Sequence, residues 1–313
     1  MTGVLPLNPV HLVALVSPLC RLQADEARPW ERLAGQPAPR PWEAALEHMP
    51  ILAQRRRGWV LLGLARVRGL VTARRRRASG AWEVDCLQVA PGDAEAAIRL
   101  LEAACEQLGR EGVQRLFLRL DADSPMLRVA CRAGFFPVRQ ERLYCLDRAP
   151  GLDEASTDQL LPLTRAHLPA LFQLYNVSVP ASVRCLEGIT LRDWQAAQEP
   201  WAQPRDVALW EGGRILAWAR LAVSGRGALF SLMLHPEAQA CARQMVASAL
   251  RLASSQQPLF CLVAAYQTAV ASALEEMGMT PVADYLLLMR HLLQRQAHKG
   301  METERVGGAV PVS

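Results

Sequence analysis

Lysine is nearly missing from this chain: Lys299 stands alone, and arginine supplies the other basic side chains. The bias reads as codon composition rather than mechanism. Paired cysteines are missing as well. The eight cysteines include no CxxC pair and no Cys/His spacing suited to zinc, which argues against a disulfide scaffold and against a zinc module. Most of them, such as Cys86, Cys145 and Cys261, sit among apolar neighbours and read as buried free thiols of a reducing compartment. His11, His48, His167, His235 and His291 show no ligand spacing either, so no metal is expected. Long apolar runs are absent: the longest, such as residues 59–65, fall far short of a bilayer's width, and no membrane partner is expected. No charged segment precedes the first apolar run, so no secretory signal is expected. These absences together predict a cytoplasmic protein.

What is present suits two domains of ordinary size: 313 residues, of which 51% are apolar. The net charge of +5 is uneven. Residues 1–150 carry 22 arginines against 16 acids, whereas residues 151–313 carry 13 basic side chains against 14 acids. An anionic ligand is therefore expected on the first half. The runs Arg55–Arg57 and Arg74–Arg77 lack aromatic interleaving and any nucleic-acid motif. They read as solvated hairpin tips, and no nucleic-acid partner is expected.

The chain uses one pattern twice. Residues 82–135 read as a strand (Trp82–Val89), a turn at Ala90-Pro91-Gly92-Asp93, a helix over 94–109, a strand (Val113–Leu120), a short helix (Ser124–Ala133) and Gly134-Phe135. The order returns from Gly227: a strand, His235-Pro236-Glu237, a helix over 239–253, a strand over 259–265, a short helix over 267–277 and Gly278. From turn proline to terminal glycine the spans are 43 and 42 residues, which argues for a duplicated unit. Hairpins precede both copies, the second turning on Gly212-Gly213, and closing strands follow at 137–146 and 281–289. Helices are expected at 42–48, 163–175 and 190–197, the last with Thr190 as N-cap. The Pro-rich stretch 23–50 forbids a long helix, and 149–158 reads as a linker. The predicted division is 1–150, 151–294 and a disordered tail over 295–313. The predicted class is α/β: two tandem units, each a mixed, mostly antiparallel twisted sheet flanked by helices.

Two local motifs resemble the GNAT superfamily of acetyl-CoA-dependent N-acyltransferases. That family has a strand ending Val-x-Pro, a glycine-rich loop whose amides cradle the CoA pyrophosphate, and a helix. Leu87-Gln88-Val89-Ala90-Pro91 matches the strand end, and Leu232-Met233-Leu234-His235-Pro236 matches it again. The loops depart from the family: the first keeps only Gly92, flanked by Asp93 and Glu95, and the second keeps no glycine. The second motif, Asn-x-x-Ala-x-x-Leu-Tyr-Glu-Lys-x-Gly-Phe, is carried by Asp123, Met126, Val129, Ala130, Gly134 and Phe135, and again by Gln267, Val270, Ala273, Leu274, Gly278 and Met279. Ala130 and Leu274 stand where the family has its proton-donating Tyr. Cys131 lies next to the first of these positions and reads as a buried bystander.

The resemblance implies acyl transfer from acetyl-CoA, as co-substrate, to an amine of a small molecule or peptide. It implies cofactor contacts at Leu87, Gln88, Val89, Gly92, Asp93 and Ala94. Glu83 and Asp85, two apart on one strand, share a face and are candidate base or amine-recognition groups; exposed edge charges are the alternative. The aligned positions Ala228 and Phe230 carry no acid, so the first half is the expected catalytic half. A catalytically lapsed ligand-binding or assembly module is the alternative function. Intramolecular pairing of the two units, or a homodimer, is the expected association.

Overall fold

A computed structural model describes residues 3–48, 55–63, 66–78, 80–147, 160–224, 227–253 and 258–292. The expected linker and C-terminal tail lie outside the described residues. The first half runs β1 (Val4–Pro6), α1 (Pro9–Val16), α2 (Trp30–Leu33), α3 (Pro41–Glu47), β2 (Arg56–Leu62), β3 (Val67–Arg75), β4 (Ala81–Val89), α4 (Ala94–Arg110), β5 (Arg115–Asp121), α5 (Met126–Arg132) and β6 (Phe136–Leu146). The second half runs β7 (Leu160–Pro162), a 3-10 turn (Arg165–His167), α6 (Leu168–Ser178), α7 (Ala181–Glu187), α8 (Leu191–Ala197), β8 (Arg205–Glu211), β9 (Arg214–Ser224) and β10 (Gly227–Leu234). It ends with a 3-10 segment (Pro236–Cys241), α9 (Ala242–Ala253), β11 (Leu259–Ala264), α10 (Thr268–Glu276) and β12 (Thr280–His291).

Among the described residues twelve strands form one sheet, ordered β1-β2-β3-β4-β5-β12-β6-β11-β10-β9-β8-β7. Counted inward from either end, the order is the same: a short edge strand, a hairpin, a central strand, and the strand that follows its crossover helix. The closing strands change places. β12 pairs antiparallel with β5, from Tyr285↔Asp121 to His291↔Arg115. β6 pairs antiparallel with β11, from Leu259↔Leu146 to Ala264↔Glu141. β6 and β12 then pair with each other at the centre. Each half's sheet is completed by the other half's last strand.

The helices form because their apolar residues recur on one face. On α4, Ala97, Leu100, Leu101, Ala104 and Leu108 are buried, in one core with Trp59, Leu87 and Leu118. On α9, Met245, Val246, Ala249 and Leu250 are buried likewise, with Phe230, Leu232 and Cys261. A further core joins the halves: Leu171, Leu174, Trp194 and Trp218 pack with Ala81, Phe117, Val138, Leu287 and Met289. Gly134 and Gly278 end α5 and α10 in the left-handed region, at φ +79° and +82°.

One expectation is overturned here. The run Arg74–Arg77 is not a solvated tip: Arg74 and Arg76 are buried. Arg74 makes a two-point pair with Glu31 (2.6 and 2.8 Å) and bonds Glu83 at 2.7 Å; Arg76 bonds Glu83 at 3.0 Å and the Ala197 carbonyl at 2.6 Å. A guanidinium is tolerated inside when carboxylates from other segments meet it.

Candidate active site

Each central strand parts from the strand after its crossover helix. β4 and β5 pair in parallel only from Ala81↔Arg115 to Glu83↔Phe117, then diverge. β10 and β11 pair only from Ala228↔Leu259 to Phe230↔Cys261, then diverge. Beyond the fork, both strands present backbone amides and carbonyls to the gap, and these need partners.

In the first fork the partner is the chain itself. The Gln23 amide donates to the Val89 carbonyl (2.8 Å), the Glu26 amide to the Leu87 carbonyl (3.0 Å) and the Arg28 amide to the Arg119 carbonyl (3.0 Å). The Asp25 carboxylate accepts from the Leu87 amide at 2.7 Å and from the Ala27 amide at 3.0 Å. Arg32 pairs with Asp25 at 2.5 Å and donates to the Asp85 carbonyl at 2.6 Å, pinning the segment to β4. Residues 23–28 thus fill the fork like an added strand, with Asp25 and Ala27 buried.

The residues expected to hold the cofactor are engaged as follows. The amide and carbonyl of Leu87 and the carbonyl of Val89 bond the segment just described. Gln88 is buried and donates to the Pro39 carbonyl at 2.9 Å. Gly92 turns at φ +73°. Asp93 caps α4 by accepting from the Ala96 amide (3.1 Å), and holds Arg68 at 2.8 Å through both oxygens. Ala94 opens α4.

Glu83 and Asp85 do come together, with Arg74 beside both (2.7 and 3.9 Å), but they are buried rather than exposed. Asp85 stands at a register shift between β3 and β4. It accepts from Thr72 Oγ1 at 2.7 Å and meets His48 Nε2 at 2.8 Å, while His48 Nδ1 bonds the Ala44 carbonyl at 2.8 Å. Burial opposes the Asp85 charge, but His48, Arg74 and Thr72 outweigh it and hold the carboxyl far below its usual range. Such a group is a weak base.

The second fork is open. A cavity of about 130 Å³ reaches Ser231, Leu232 and Met233 of β10, Leu262 and Ala264 of β11, and Tyr266 and Gln267 beyond it. Its far walls come from α6–α8 and from β6 of the other half, including Tyr175, Trp194, Arg139 and Glu141. Among the described residues one side chain bridges the fork: Gln267 donates to the Leu232 carbonyl (2.6 Å) and accepts from the Ala264 amide (3.1 Å). Tyr266 and Gln267 also line a smaller cavity of about 70 Å³ with Pro236, Gln239 and Thr268, between the start of α10 and the loop after β10. The two spaces share these two residues as walls.

A buried ionic cluster floors the inner cavity. Glu141 lies between Arg119 (2.6 Å) and Arg139 (2.7 Å). Arg119 also pairs with Glu199, and Arg139 with Glu187. Burial works against the charge of Glu141 and Glu199, but the arginines outweigh it and keep both carboxyls below their usual range. Burial has the opposite outcome for the phenols: it raises Tyr266, and lifts Tyr175 to about 12. The cavity therefore offers ionised, fully paired carboxylates and neutral phenol donors.

None of Ser231, Tyr266, Arg139 or Glu141 was singled out in the sequence. Arg139 and Glu141, two apart on a closing strand, were a visible signal of a polar face. Tyr266 directly follows an apolar strand, at the position that meets the fork. Among the described residues no group of three or more His, Cys, Asp or Glu can hold a metal ion. No helix there is long and apolar enough to cross a membrane.

No family model matches the chain, and no curated protein matches it. Solved structures do. A GCN5-related N-acetyltransferase from Sphaerobacter thermophilus aligns over 92% of this chain and 95% of its own, at 13% identity and TM-score 0.53. The fold is the GNAT fold. A functionally unknown conserved protein from Staphylococcus epidermidis aligns over 72% of this chain and 92% of its own, at 10% identity and TM-score 0.50. A tandem GNAT protein from the clavulanic acid biosynthesis pathway covers 94% of this chain and 99% of its own, at 14% identity and TM-score 0.48.

Proposed function

We propose that the protein is an acyl-CoA-dependent N-acyltransferase of the GNAT type, working from the β10–β11 fork rather than the β4–β5 fork. The open cavity between the diverging edges of β10 and β11 carries this reading. The first fork has its edge groups satisfied by residues 23–28. In this reading the edge of Leu232 holds the amide-bearing arm of acetyl-CoA in place of Gln267. The loop after β10 and the start of α10 face its phosphates. An acceptor amine, from a small molecule or peptide, enters beside Ser231. The amine attacks the thioester carbonyl; a C–N bond forms, the C–S bond breaks, and the thiolate takes a proton. Tyr266, kept neutral by burial and lining both cavities, gives its proton to the thiolate, and its phenolate takes back the proton released from the acylated nitrogen. The units 1–150 and 151–294 act as one intramolecular pair in the cytoplasm, where the eight free cysteines stay reduced.

A second reading is a lapsed ligand-binding module. The 3-10 segment after β10, free of glycine, favours it, because a glycine-free loop approaches a pyrophosphate poorly. Calorimetry of the full chain with acetyl-CoA separates the readings. One binding site is expected in the native protein. Ser231→Phe, which fills the cavity, should abolish it. Absence of binding to the native protein removes the enzyme reading; binding without acetylation of any amine in a panel selects the lapsed module.

A further inference from the structure

A separate cavity of about 340 Å³ lies where the end of the arginine run meets the second half. Arg77 reaches it from the first half, Arg165 and His167 from the 3-10 turn before α6, and Arg220 from β9. Asp206 is the one carboxylate on its walls among the described residues. Asp206 already serves Arg220, with Nε–Oδ1 at 2.8 Å and Nη2–Oδ2 at 3.2 Å, and accepts from Trp218 Nε1 at 3.0 Å. Gln198 Oε1 accepts from Arg220 Nη1 at 3.2 Å, so this guanidinium is fixed in the wall. Arg220 is buried.

Among the described residues, three guanidinium groups thus face one space with a single carboxylate between them. Arg77 and Arg165 are exposed. Partial burial of its guanidinium, then repulsion from Arg220, lowers the Arg77 pKa; Asp206 opposes this and Arg165 adds to it. Like charges gathered around a cavity repel unless an anion joins them. Thr164 donates its amide to His167 Nδ1 (3.1 Å), which leaves Nε2 as the donor of the neutral ring.

We propose that this cavity binds an oxyanion, the phosphate or carboxylate group of a small ligand, between Arg77, Arg165 and Arg220. Arginine forks suit both groups, since each offers two oxygens in a plane. The site draws on both halves, so the anion is not held by the first half alone. Trp194, Gln198 and Arg220 line this cavity and the inner one alike. A ligand that fills both is an amine carrying an anionic group. That extension rests on the acyltransfer reading; the oxyanion site does not.

The test titrates the full chain with inorganic phosphate, and in a second arm with acetate, at ionic strength held constant with sodium chloride. Saturable binding is expected, read by calorimetry and by the unfolding temperature. Binding in the phosphate arm points to a phosphate ligand, and in the acetate arm alone to a carboxylate. The double variant Arg77→Ala/Arg165→Ala should weaken it at least tenfold. Both side chains are exposed, and circular dichroism checks that the variant is folded. Arg110→Ala, an exposed site on α4, should bind as the native protein does. No binding in either arm, or equal binding by the double variant, overturns the proposal. Neither probe contains a thioester, so this failure leaves the acyltransfer reading standing, and the converse holds too.

Discussion

Asp25 carries a buried carboxyl whose pKa burial raises from 3.8 to about 6, against the opposing pull of Arg32 and two backbone amides. The folded state therefore holds the proton more tightly than the unfolded chain. Its stabilising contribution is complete below about pH 4 and is lost as pH rises through about 6. Asp25→Asn keeps an acceptor for the Leu87 amide and removes the titration. The difference in unfolding free energy between the native protein and this variant should change by about 3 kcal/mol across that window. Denaturant midpoints over a pH series measure it, and a pH-independent difference refutes it. Glu141 sits between two buried arginines, so Glu141→Gln leaves uncompensated charge inside; about 3–5 kcal/mol should be lost, read as a lower urea midpoint. A loss below about 1 kcal/mol would mean that the cluster contributes little, as exposed pairs do. Neither residue's long-range partners are legible in the sequence, although the spacing of Arg139 and Glu141 marks a polar strand face. Asp25 lies in a stretch without apolar period, and its partner amide is 62 positions away.

Elements were far easier to read than their surroundings, because hydrophobic period and capping are local. The position of Thr190 predicts the N-cap of α8, and its hydroxyl accepts from the Asp193 amide at 3.1 Å. The hairpin at Gly212-Gly213 is present, with both glycines at positive φ. The expected helix over 163–175 starts later, at Leu168, after a 3-10 turn. The arginine run departs from its local pattern because burial of a charge depends on acids brought from elsewhere, here Glu31, Glu83 and Glu199. Asp93 tests a structural role against a cofactor role. As the cap of α4 and the partner of Arg68, its loss in Asp93→Ala should cost about 1–2 kcal/mol. Acetyl-CoA binding should stay unchanged, since the fork beside it is occupied. A variant of native stability with weakened acetyl-CoA binding would restore Asp93 to the cofactor site.

At the scale of the molecule, the exchange of β6 and β12 decides how the halves depend on each other. Residues 1–147 alone would lack β12, leaving the edge of β5 open and β6 without either neighbour. The separate fragments 1–147 and 160–292 should therefore aggregate or fail to show a cooperative transition, whereas co-expression should yield one soluble complex. Size exclusion and thermal melts check this; a monomeric, cooperatively melting fragment would refute it. The repeated order of strands and helices, the mixed α/β class and the turn glycines are legible in the chain alone, because periodicity and φ preferences act within a few residues. Which half's last strand completes which sheet, which fork stays open, and which arginines are buried all depend on contacts between distant segments. An alternating strand specifies its face but not its neighbour, and a charged side chain specifies no partner until folding brings one within reach.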